Sequence, residues 1–141
     1  MTKKEFKEYE RICKEAWKEL SETGADEKPR RLKCFKHHCP ACEISARASA
    51  NNGPIEIDCK LCPVDLWREF AMESDEEWAA CQVCQDFGSK ISFFGDWLDR
   101  DVVKSKEAAK KISELKWSWL PEYKKVKSVL ERYHEDVEAG L

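Results

Sequence analysis

The chain has 141 residues, with 25 basic and 28 acidic side chains, three histidines and eight cysteines. At 42% hydrophobic and 11% aromatic it is too apolar for a disordered chain, and its length suits one domain, 1–141, with little room for two. A formal charge of -3 argues against polyanion binding through net charge alone. In chain order, the first predicted element is an amphipathic helix over residues 1–24. Thr2 and Glu5 form a capping box, and Phe6, Tyr9, Ile12, Cys13, Ala16, Trp17 and Leu20 recur at three- and four-residue steps until Gly24 stops them. Cys13 reads as a core residue of that stripe.

Residues 28–42 carry Lys28, Arg30, Arg31, Lys33 and Lys36 with no acid, a concentrated basic stretch. A short helix is predicted over Glu43–Ala50, a turn at Asn51-Asn52-Gly53-Pro54, and a short strand or hairpin arm at Ile55–Asp58. Pro63 suits the first turn of a helix carrying Val64, Trp67, Arg68, Phe70 and Ala71. Ser74 and Glu77 open another helix toward Cys84, and an aromatic loop with Phe93, Phe94 and Trp97 follows. Two helices are predicted over 101–139. The first carries Val102, Val103, Ala109, Ile112 and Leu115. Pro121 pulls Leu120 out of the helical region, and the last helix lines up Tyr123, Val126, Leu130, Tyr133 and Val137. The fold class is mainly α: amphipathic helices flanking a central Cys-rich module at 34–84.

That module holds seven of the eight cysteines. Cys39/Cys42, Cys59/Cys62 and Cys81/Cys84 are three Cys-x-x-Cys pairs, separated by sixteen and then eighteen residues. Two intervening residues let both sulfurs reach one tetrahedral ion at about 2.3 Å. Two such pairs at this separation read as a zinc site, so Cys39, Cys42, Cys59 and Cys62 are the expected ligands of one Zn2+. Cys34, His37, His38, Cys81 and Cys84 supply a candidate second site. The competing reading for Cys81 and Cys84 is a pair of small buried hydrophobes on a helix. No export signal begins the chain and no apolar run could cross a membrane. The expected compartment is therefore a reducing cytoplasm, where clustered cysteines mean metal more often than disulfide.

Nothing in the sequence assembles an active site. Four thiolates close a zinc ion and quench its Lewis acidity. The His-x-Glu of zinc deaminases is missing, and no glycine cluster cradles phosphate. A non-enzymatic binding role is expected. Arg30, Arg31 and Lys33, with Phe93, Phe94, Trp97, Trp117 and Trp119, are the candidate partner- or ligand-binding residues; the competing reading folds the loop aromatics back onto the helices. Nucleic-acid binding is the alternative, disfavoured by charge. Residues 63–101 carry a net -7, and each four-thiolate zinc adds a further -2.

The order Cys39-x-x-Cys42-Glu43, then Cys59-x-x-Cys62-Pro63-x-x-x-Trp67, then a later cysteine and a tryptophan before a lysine-rich helix, resembles small cysteine-rich proteins of tailed phages and prophages of Gram-positive bacteria. The resemblance runs from the first helix to about Leu120. The extra Cys34 and Cys84 and the longer last helix depart from it. It implies an accessory protein acting inside a bacterial host cell, binding a host protein or sequestering a nucleotide signal to counter host defence.

Overall fold

A computed structural model describes residues 1–24, 29–32, 34, 40–49, 59–73 and 102–140. Among these the chain forms five α-helices: α1 (Lys3–Thr23), α2 (Pro40–Ser49), α3 (Asp65–Glu73), α4 (Val102–Glu114) and α5 (Leu130–Glu138). 3-10 turns lie at Arg30–Leu32, Cys59–Leu61 and Pro121–Lys125. The predicted strand at 55–58, the helix opened by Ser74 and the aromatic loop of Phe93, Phe94 and Trp97 lie outside the described residues.

Local chemistry sets both ends of α1. Thr2 Oγ1 accepts from the Glu5 amide at 3.1 Å while Glu5 Oε1 accepts from the Thr2 amide at 2.9 Å, so two otherwise orphaned donors are satisfied reciprocally. Gly24 closes the helix at φ 69, its amide donating to Leu20 O, a left-handed conformation that a side chain would strain. The seven residues of the predicted stripe, Cys13 included, are all buried. Along the outer face Arg11 bridges Glu8 and Glu15, and Lys14 meets Glu10, each pair contributing only a few tenths of a kcal/mol.

The main packing is α1 along α4, which buries Ala108, Ala109 and Ile112. Near the start of α1, Phe6 stacks on Tyr123 at 5.4 Å and meets Trp117 at 5.8 Å and the edge of Trp119 at 5.5 Å. Such pairs add about 0.5–1.5 kcal/mol each beyond area burial. Helix α2 packs on α1 and on the turns Cys59–Leu61 and Pro121–Lys125, while α5 lies on the turn Arg30–Leu32. No described helix is long and apolar enough to cross a membrane.

Three boundaries differ from the sequence expectation. Helix α2 starts at Pro40 rather than Glu43, which puts Cys42 in its first turn. Helix α3 starts at Asp65 rather than Pro63. The backbone before it is engaged in an antiparallel bridge between Val64 and Trp117, with Asp65 N–H donating to Lys116 O and Ser118 N–H to Pro63 O. The last helix is broken. Leu120 is extended, as Pro121 requires, but Tyr123 sits in a 3-10 turn and Val126 is extended as well. A continuous helix needs the Val129 amide for its own i−4 carbonyl; that amide instead donates to Tyr9 Oη at 2.8 Å, and Ser128 Oγ accepts from the Leu130 amide. The step of three from Tyr123 to Val126 fits a 3-10 turn as well as an α-helix, so the apolar stripe hid the break. Val137, at its far end, is exposed.

Candidate metal centre

The second cysteine pair is the better defined. Cys59 opens a 3-10 turn that ends at Leu61, and Cys62 follows with 5% of its surface exposed. Two long side chains hold this corner by its carbonyls. Tyr123 Oη donates to Leu61 O at 2.7 Å, and Arg68 Nη1 donates to Cys62 O at 3.1 Å. Arg68 also grips Asp65 Oδ1 at 2.7 Å. Burial, together with the neighbouring Cys62, pushes the Tyr123 phenol far above its ordinary range, so Tyr123 stays a neutral donor at any physiological pH. With those carbonyls engaged, the direction in which the chain leaves the pair toward α3 is fixed.

Cys42 of the first pair is partly buried in the first turn of α2. Helix α2 lies directly against the Cys59–Leu61 turn. Two segments sixteen residues apart in sequence are therefore on contacting elements. The adjoining Glu43 is 2% exposed and accepts from Arg47 Nε at 3.0 Å, and Arg47 reaches on to Lys127 O. That pair ties α2 to the C-terminal segment. Cys39 and the Cys59 side chain lie outside what is described. Among the described residues, no group of three or more histidines, cysteines or carboxylates is arranged to hold a metal, and Cys13, Cys34, Cys42 and Cys62 form no disulfide.

Of the candidate second site only Cys34 is described; His37, His38, Cys81 and Cys84 lie outside. Cys34 is partly buried. Burial raises its thiol pKa, as do the charges of Asp136 and Glu43, with Arg132 opposing them. Such surroundings favour a protonated thiol rather than a reactive thiolate.

The candidate binding residues separate. Arg31 Nη2 is paired with Glu19 Oε2 of α1 at 2.5 Å, which fastens the Arg30–Leu32 turn to the first helix. Trp117 is a core residue at 6% exposure, whereas Trp119 is only partly buried and stands edge-on to Phe6 and Tyr123. Lys33 and the Arg30 side chain lie outside the described residues, as do Phe93, Phe94 and Trp97. An open cleft of about 730 Å³ runs between Arg47 and the stretch Lys127–Asp136. Arg47, Lys127 and Arg132 line it against Glu131, Glu135 and Asp136; the signs cancel, so it offers little net field to a nucleotide. Sequence reasoning missed the roles of Tyr123 and Arg68, because each acts on a carbonyl and leaves no motif. Compared with protein-family models, with curated proteins and with solved structures, the chain matches none.

Proposed function

We propose that this is a zinc-organised, non-enzymatic binding protein, with one Zn2+ held by Cys39, Cys42, Cys59 and Cys62. The observation that supports it is the contact between α2, which carries Cys42, and the Cys59–Leu61 turn that leads into Cys62. Thiol donors at this spacing suit a closed structural zinc, which supplies folding energy rather than Lewis acidity. In this reading the protein acts inside a bacterial cell as a phage-type accessory factor. It engages a host protein or a nucleotide without altering it chemically, and Cys34, His37, His38, Cys81 and Cys84 are the donors for any second ion.

Native mass spectrometry of the full chain tests the reading. One zinc per chain is expected, lost in both Cys42→Ser and Cys62→Ser, and a co-purified nucleotide stays intact on incubation. A metal-free chain with unchanged circular dichroism overturns the zinc assignment. Turnover of a bound nucleotide overturns the non-enzymatic one.

A further inference from the structure

Residues 102–129 carry eight lysines and three glutamates, a net +5 in a chain whose total is -3. The fold brings part of that excess beside the only adjacent lysine pair of α1. Met1 N donates to Val126 O at 2.7 Å and to Lys124 O at 3.2 Å. Lys3 and Lys4 in the first turn of α1 therefore adjoin Lys124, Lys125 and Lys127. All five are exposed, and none has an ion pair among the described residues, unlike Lys7, Arg11 and Lys14 further along α1. Lys3 and Lys4 also sit at the positive end of a 21-residue helix, where cations are unfavourable. Glu122 is the one acid in residues 121–129, and Glu5 is engaged in its capping box.

Trp119 lies between the two lysine-bearing segments. Its partly buried indole meets Phe6, one turn beyond Lys3, and Tyr123, which precedes Lys124. Lysines bracketing an accessible aromatic match a single-stranded nucleic acid, with ammonium groups on phosphates and a ring for one base. An acidic protein fits less well, since protein interfaces are enriched in arginine and depleted in lysine, and every cation here is lysine. An anionic membrane fits less well again. The exposed large hydrophobics among the described residues are Met72 and Val137, and neither belongs to the patch.

We propose that Lys3, Lys4, Lys124, Lys125 and Lys127, with Trp119, bind the backbone of single-stranded nucleic acid. The surface shares no residue with the cysteine module, so it stands or falls independently of the zinc assignment. The test is fluorescence anisotropy of the full chain with labelled twenty-nucleotide dT and U oligomers, in parallel with phosphatidylserine vesicles and poly-glutamate. Five phosphate contacts give a log–log salt slope of about -3.5, a fall of roughly a hundredfold between 50 and 200 mM salt. Lys124→Gln/Lys125→Gln/Lys127→Gln should weaken binding about tenfold or more and flatten the slope by about 2. Lys3→Gln/Lys4→Gln should flatten it by about 1.4, and Lys18→Gln, exposed elsewhere on α1, should change nothing. Because every substituted side chain is exposed, circular dichroism should not move. No oligonucleotide binding at 50 mM salt overturns the proposal, as do binding indifferent to the five lysines and a preference for the vesicles or poly-glutamate.

Discussion

Two regions of this protein are held together by different means. Helix α1 packs on α4 and the C-terminal aromatics through dry burial: Phe6, Tyr9, Ile12 and Trp17 are each at most 2% exposed, and each such side chain contributes about 1.5–3 kcal/mol. Among its described residues, the module from Pro40 to Glu73 forms two short helices, of ten and nine residues, lengths that do not persist alone in water. Its buried Ala41, Ile44, Cys62, Val64 and Trp67 join the same core as α1, and hydrogen bonds to the Leu61, Cys62 and Lys127 carbonyls add to that burial. A region held by burial needs nothing from outside. One that reaches the same core only through short helices and turns gains most from a metal.

Metal removal is the strongest way to separate them. A structural zinc contributes apparent binding energies of about 10–16 kcal/mol. Chelation should therefore open residues 40–73 to protease and to hydrogen exchange while the α1–α4 amides stay protected. Uniform loss across both regions would show that they form one cooperative unit and end the contrast.

The converse experiment cuts into the dry region. Trp17 is 1% exposed and among the largest fully buried side chains, so Trp17→Ala should cost about 3–5 kcal/mol through lost transfer energy and a residual cavity. Denaturant unfolding should show that loss with zinc stoichiometry unchanged. A variant that folds but fails to bind zinc would show that the module cannot assemble without an intact α1.

A smaller and more local comparison uses two tyrosines. Tyr123→Phe leaves Leu61 O without its phenol donor, and Tyr9→Phe leaves the Val129 amide without its acceptor. Each should cost about 1–3 kcal/mol. Only Tyr123→Phe should also speed zinc loss to a chromogenic chelator, because of the two tyrosines Tyr123 alone reaches the corner at Cys62. Equal zinc release from the two variants would remove the clamp from the account.

Those two tyrosines also mark where the sequence stopped being readable. Helix α1 was legible to the residue, since its cap, stripe and stop are all local. Of the proposed metal ligands, the sequence supplied the spacing of Cys39, Cys42, Cys59 and Cys62, and the fold adds the contact of helix α2, which carries Cys42, with the Cys59–Leu61 turn. The break after Tyr123 was not legible, because it depends on Tyr9, more than a hundred residues away, capturing one amide. The lysine-rich C-terminal stretch was visible in the sequence, but interleaved with Glu107, Glu114 and Glu122 it gave no sign of which lysines share a surface. Only folding sets three of them beside Lys3 and Lys4.

The smallest effect concerns acid. Burial pushes the Asp65 carboxyl up, but hydrogen bonds from Ser118 and Arg68, with the charges of Arg68 and Lys116, outweigh it and leave the pKa below the ordinary 3.8. A carboxyl lowered on folding contributes stability that is fully present above its unfolded pKa and is lost as pH falls through the folded one. Asp65 is 17% exposed and sits at the start of α3, where a negative charge also meets the helix dipole, so its contribution is about 0.5–1 kcal/mol. Acid also protonates cysteine thiolates, so the wild-type melting curve alone would mix two causes. The difference between wild type and Asp65→Asn isolates one of them. That difference should be steady from pH 7 down toward the ordinary carboxyl range and shrink as pH falls below it, because a protonated Asp65 resembles the asparagine. A difference independent of pH would mean that the side chain acts here by hydrogen bonding and packing alone, leaving Arg68 as a clamp on Cys62 O that owes nothing to the charge beside it.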